Sequence, residues 1–165
     1  EMLYRVVERY VEPDGKCRIL DLYSGTGTIP IFLAAGAESV TGIEMSPDAV
    51  EDAAGNCTEN GVENCRFLCG DTRGVLAGLD IKPDVVVIDP PRAGMHREVT
   101  AQILAMMPER IVYVSCNPTT LARDLAELSS SYELRDVQPV DMFPHTYHIE
   151  TVALMVRSKG GAAAG

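Results

Sequence analysis

The sequence predicts an α/β fold, a parallel sheet with helices on both faces and one reversed strand. Three observations carry this. Short apolar runs near 17–22, 39–43, 66–69, 84–88 and 110–114 alternate with stretches of helical period, as parallel strands joined by crossover helices do. Each of those runs ends on polar or glycine residues. Two final runs, near 132–140 and 149–157, are separated only by VDMFPHTYH. That is too short for a crossover helix, so they should pair antiparallel. The expected sheet has seven strands in the order 3-2-1-4-5-7-6, with the last-numbered strand antiparallel.

Taken in order, Met2, Leu3, Val6, Val7, Tyr10 and Val11 share one face of a helix over 2–11, which Pro13-Asp14-Gly15 ends. The first strand leads into YSGTGT and a helix over 29–36, closed by Gly36. The second strand ends at Glu44, and Ser46-Pro47 opens a helix over 47–60 that Gly61 stops. The third strand runs into Gly70-Asp71 and a short helix near 73–79; the fourth into Asp89-Pro90-Pro91 and a helix near 97–107. The fifth ends at Cys116, where Asn117 is a favoured N-cap and Pro118 suits the first position of a helix over 118–130.

With 165 residues, 46% hydrophobic and 23% charged, the chain fits one domain that buries about 70% of its unfolded surface. Residues 1–158 form that domain, and the Gly/Ala tail 159–165 reads as disordered. No internal repeat is visible. Lys and Arg number 14 against 24 Asp and Glu, a net charge of −10, which makes non-specific nucleic-acid binding poor. Five cysteines without a CxxC pair point to a reduced, cytoplasmic chain. No membrane segment or signal peptide is expected, and a monomer is. The chain opens directly on a helix without an initiator Met, so a fragment of a longer protein is expected.

In a sheet of this kind ligands bind beyond the carboxyl ends of the parallel strands. Tyr23–Thr28, Glu44, Asp71, Asp89 and Cys116 all fall there, and a reversed last strand brings Glu150 to the same rim. Gly25 and Gly27 allow a tight turn and close approach of a ligand. The carboxylate of Glu44 can accept two ribose hydroxyls, so turn and acid together read as an adenosine site. Asp71 suits either the adenine amino group or a helix cap. Asp89-Pro90-Pro91-Arg92 presents a carboxylate from a stiffened backbone, and Arg92 and Arg97 can meet phosphate. Cys116 stands beside a helix N-terminus, an environment that favours thiolate. His145 and His148 form an H-x-x-H pair without further ligands, so no metal is expected. Cys65 and Cys69 read as strand core.

A nucleophilic cysteine, a carboxylate and an adenosine site on one rim share a reaction. Methyl transfer from S-adenosylmethionine to a pyrimidine ring carbon, such as carbon 5 of uracil, is one that uses all three. A thiolate adding to carbon 6 makes carbon 5 nucleophilic, and a base must then remove its proton. DLYSGTGT, DPPRAG, YVSCNPTTLARDL and DMFPHTYHIETVAL resemble the RNA uracil-5-methyltransferase family over most of the chain. The resemblance implies a Rossmann-like class I methyltransferase domain that acts on a tRNA or rRNA uridine in a loop or flipped from its stack. It implies Cys116 as nucleophile and Glu150 as the proton-abstracting base. Tyr23, Thr28, Glu44, Asp71 and Asp89 would line the S-adenosylmethionine site, with Asp89, beside Arg92, also near the target base. Ser24 stands where the family usually has cysteine. The family's N-terminal RNA-binding and central domains, and the cluster cysteines of its iron–sulfur members, are not in this chain. The alternatives are an exocyclic-amine or cytosine-5 RNA methyltransferase, or a non-catalytic module that binds S-adenosylmethionine.

Overall fold

Why the chain forms a layered sheet is clearest at its centre, where Val85, Val86, Val87 and Ile88 are all buried. A strand with helices on both faces needs apolar side chains at every position rather than at alternate ones. The computed structural model describes residues 2–142 and 149–158. The helices are α1 (Met2–Val11), α2 (Thr28–Ala34), α3 (Pro47–Glu59), α4 (Thr72–Ala77), α5 (Arg97–Met106) and α6 (Pro118–Leu128). The strands are β1 (Arg18–Leu22), β2 (Ser39–Glu44), β3 (Cys65–Cys69), β4 (Val85–Ile88), β5 (Arg110–Ser115), β6 (Tyr132–Val140) and β7 (Glu150–Arg157).

The strands form one sheet in the order β3-β2-β1-β4-β5-β7-β6. From β3 to β5 neighbours run parallel, and β7 is antiparallel to both β5 and β6. The expected order and the reversed strand are both present. Two cores flank the sheet. On one face Leu3, Val7, Tyr10 and Val11 of α1 join Ile29 and Leu33 of α2 over Val85, Val87, Val112 and Val114. On the other, Leu76, Val99, Ile103, Leu121 and Leu128 from α4, α5 and α6 cover Val86, Ile88, Ile111 and Tyr113. The alternation along β4 and β5 is the period-2 geometry of a strand.

One expectation about the core fails. Cys65 is only half-buried and Cys69 is exposed, because β3 is an edge strand flanked by β2 alone. Helix ends follow the capping residues: Ser46 Oγ accepts from Ala49 N–H at 3.3 Å, and Asn117 Oδ1 from Thr119 N–H at 3.1 Å. Two caps were not foreseen. His96 caps α5, and Met107 closes it in the left-handed region at φ 51°. The tail 159–165 lies outside the described residues.

Candidate active site at the carboxyl ends of the strands

The turn after β1 is bent by residues with left-handed backbones, Tyr23 (φ 66°), Gly25 (φ 53°) and Gly27 (φ 80°). Glycine adopts this region freely, but a bulky side chain there is strained by about 1–2 kcal/mol. Tyr23 is held there by its N–H, which donates to Ile43 O at 2.9 Å. Its phenol hydroxyl meets Thr72. At Gly27 a Cβ would come within 2.8 Å of the Phe67 ring and 3.0 Å of Ala53, so the turn sits flush on β3 and α3. Asn56 of α3 pins it by donating to Thr26 O at 3.0 Å. Thr28 is the first residue of α2 and is exposed.

Glu44 is locked against this turn. One carboxylate oxygen accepts from Gly25 N–H at 3.0 Å, the other from Ser46 N–H at 2.9 Å. Asp71 caps α4 and pairs with Arg73 at 3.0 Å. The arginine's hydrogen bond holds the Asp71 carboxyl below its ordinary value. Of the two expectations for Asp71, the helix cap is present; the residue also lines a cleft of about 480 Å³. That cleft is lined by Tyr23, Glu44, Asp71 and Asp89, with Met45, Thr72, Arg73, Pro91, His96 and Val99 around them. Larger cavities need not mark the site. One of about 640 Å³, between Arg18, Thr41, Asn64 and Lys82, lies at the opposite, amino ends of the strands.

Beneath the turn lies a residue that the sequence reading passed over. Asp21 is 1% exposed, and neither carboxylate oxygen has a hydrogen-bond partner. Burial first, then the charges of Asp89 and Glu44, push its carboxyl well above the ordinary range. A charged residue inside the apolar run Ile19-Leu20-Asp21-Leu22 was the available signal. Ser24, also buried, leaves its Oγ without a partner. Met45 and His96 were missed too; Met45 is 69% exposed, an unusual placement for a methionine beside a polar cleft.

On the other side of the rim Cys116 is half-buried after β5. The last pair between β5 and β7 is Ser115 with Thr151, so Cys116 and Glu150 stand one step further along the same antiparallel register. Asp89 is exposed at the cleft mouth, yet the protein around it removes enough water to push its carboxyl up to about 6; the Glu150 charge is the second cause. Asp89, Glu150 and Cys116 thus share the rim. Arg92 is exposed, and Arg97, 90% exposed, reaches Glu127 at 3.7 Å. His145 and His148 lie outside the described residues. Among the described residues no group of three metal-ligating side chains gathers, and no helix is long and apolar enough to cross a membrane.

Sheet order, glycine turn and acidic strand end together define a class I methyltransferase fold, and a general methyltransferase-domain profile matches residues 19–109. The profile described as tRNA (Uracil-5-)-methyltransferase matches residues 75–158, half of the chain. The chain belongs to that family. A crystal structure of Pyrococcus abyssi tRNA (uracil-54, C5)-methyltransferase with S-adenosyl-L-homocysteine superposes with a TM-score of 0.83 at 40% identity, over 94% of this chain and 37% of that one. Uncharacterized RNA methyltransferases of Porphyromonas gingivalis and Bacteroides thetaiotaomicron are 51% and 48% identical, over 94% and 93% of this chain. The chain spans about a third of the length of these relatives, 35% in each case. A precorrin-6y C5,15-methyltransferase of Geobacter metallireducens, 14% identical with a TM-score of 0.80, shares the fold alone.

Proposed function

We propose that this chain is the catalytic domain of an RNA methyltransferase that transfers a methyl group from S-adenosylmethionine to carbon 5 of a uridine through a covalent cysteine adduct. The observation that supports it is the antiparallel register of β5 with β7, whose last pair, Ser115 with Thr151, precedes Cys116 and follows Glu150 directly, at the strand ends where the Glu150 charge also acts on Asp89. Two of the alternatives lack a use for the Cys116 and Glu150 pair, whereas cytosine-5 transfer would use it as well, and the match to the uracil-5 family favours uracil over it. Exocyclic-amine transfer needs no cysteine, and a binding module needs neither.

The site fits the cofactor on its own evidence. Two orphaned carboxylate oxygens of Asp21 lie beneath the glycine turn, a pattern that calls for a ligand or ordered water. Glu44 is held by two backbone amides, which leaves its remaining lone pairs for ribose hydroxyls. The cleft is within the usual range of about 300–1,000 Å³ for small-molecule sites. Asp71 would accept the adenine amino group, and Tyr23, Gly25, Gly27 and Thr28 would carry the amino-acid end. When bound, S-adenosylmethionine supplies an electrophilic methyl group on a sulfonium.

Cys116 acts first: its thiolate adds to carbon 6, and the ring electrons move to carbon 5 and the carbonyl oxygen. Carbon 5 then takes the methyl group. Glu150 removes the carbon 5 proton, the ring double bond re-forms, and the thiolate leaves. Asp89 and Arg92, on the stiff Pro90-Pro91 turn, would hold the base. The base must leave its stack to expose carbon 6.

The test uses the full-length protein and its RNA. Glu150→Gln should accumulate a denaturant-stable protein–RNA adduct that already carries the methyl group. A 5-fluorouridine substrate should trap the wild type, since fluorine does not leave as a cation. Normal methylation by Cys116→Ala would sink the covalent mechanism.

A further inference from the structure

The loop bearing Asp89 and Arg92 is fastened from outside, by α6. Asp124 of α6 is 1% exposed, and its Oδ2 accepts from Met95 N–H at 2.8 Å and from the Tyr113 hydroxyl at 2.5 Å. Oδ1 accepts from Arg123 Nε at 2.8 Å. The same guanidinium continues to Ala93 O at 3.0 Å and Met95 O at 3.2 Å. One and two turns earlier, Thr120 Oγ1 and the N-cap Asn117 Nδ2 donate to Arg92 O at 3.3 and 3.1 Å. Gly94 has φ +79°, and a Cβ there would lie 2.5 Å from Arg123 Nη2 and 2.6 Å from Asp124 Oδ2. Helix and loop therefore close without room for a side chain.

We propose that Asp124, with Arg123, is a positioning residue that sets the Asp89–Arg92 loop at a fixed place relative to the Cys116 turn. This rests on the reading of Cys116 and Asp89 as parts of one site. Tyr113 lies on β5 three residues before Cys116, and Asn117 follows it directly. One buried carboxylate thus ties the nucleophile's strand, its helix and the substrate loop together. Stability alone is a poor reason for such a hub, because replacing a buried ion pair by apolar packing is often neutral or stabilising. What charge-assisted bonds add over apolar contact is direction and distance. Misplacement of reacting groups by about 1 Å can cost about 100-fold in rate.

Asp124→Asn keeps the side-chain shape, whereas Gly94→Ala presses on the same junction from the loop side and leaves the sequence of α6 unchanged. Three quantities decide the matter in the full-length protein: amide hydrogen exchange of residues 93–95, affinity for S-adenosylhomocysteine, and steady-state methylation of RNA. Both variants should raise exchange at these amides about 10-fold or more and lower kcat about 100-fold. KM for RNA and the S-adenosylhomocysteine affinity should stay within about 3-fold, differences of less than about 1 kcal/mol. The double variant should be no slower than the worse single one, as expected for groups acting as a unit. A parallel fall of kcat, cofactor affinity and thermal stability would show a general structural role and overturn the proposal. Faster exchange with kcat intact would overturn it too. If the wild type moved no methyl group to RNA, the functional reading itself would fail. The exchange arm is independent of that, and unchanged exchange in both variants overturns the clamp.

Discussion

The two halves of the rim treat polar groups in opposite ways. Around the glycine turn, Asp21 and Ser24 are buried with oxygens that have no partner. Around α6, Asp124 is equally buried and accepts bonds at both oxygens from loop, strand and its arginine neighbour. A buried carboxylate without partners costs free energy, which a bound molecule can offset. A saturated one holds protein groups in register. The comparison separates a half whose buried oxygens lack partners from a half whose buried carboxylate is saturated.

The sharpest way to break this division is Cys116→Ala. It should reduce methyl transfer to background while leaving the S-adenosylhomocysteine affinity, read by calorimetry, unchanged. Loss of that affinity would mean that the halves are not separate. Next in size is Glu150→Gln, for which proton removal and RNA release should slow by about 10²–10⁴-fold. Quenched-flow measurement should show that formation of the adduct is affected far less.

On the other half, Glu44→Ala deletes a carboxylate already fixed by Gly25 and Ser46. Hydrogen bonds to a charged group contribute about 1.5–3 kcal/mol, so affinity for the cofactor product should fall about 10–100-fold. Titration calorimetry would also reveal the reverse outcome, a preference for a nicotinamide dinucleotide.

Asp21→Asn should divide stability from binding. With the carboxyl pushed well above its ordinary value, the ligand-free protein should be as stable or more stable near neutral pH with the amide. Cofactor binding should weaken. A thermal melt with and without S-adenosylhomocysteine measures both, and a large loss of stability without ligand would contradict the orphaned state of Asp21.

The smallest effect concerns Asp89. Its carboxyl is raised to about 6, so the folded state favours the protonated form. The stability it contributes is complete below the unfolded value near 4. It is lost as pH rises through about 6. Because Asp89 is exposed at the cleft mouth, solvent screens much of this. Asp89→Asn should slightly flatten the fall in melting temperature between pH 4 and 6, and a steeper fall would reverse the sign.

Much of this was legible without coordinates, for reasons that differ from residue to residue. Glu44, Asp71, Asp89 and Cys116 each end an apolar run, and parallel strands put such ends on one edge. Asn117-Pro118 and Ser46-Pro47 announce helix starts because their chemistry is local. Cys69 was misread as core, since nothing in CRFLC reveals that β3 lies at the edge of the sheet. Asp124 looked like any polar residue on a helix, and its burial depends on a loop 29 residues earlier in the chain.

By itself the sequence determined the alternation of strands and helices, the reversal before the last strand and the chemical types gathered at the rim. These follow from short-range periodicity, turn chemistry and chain length, which act between near neighbours. Only the tertiary structure decided which polar groups would be satisfied. Asp21 and Asp124 have the same side chain and the same burial, yet one has no donor at either oxygen and the other has donors at both. Hydrogen-bond partners are assigned by what packs across space, and no spacing along the chain encodes that.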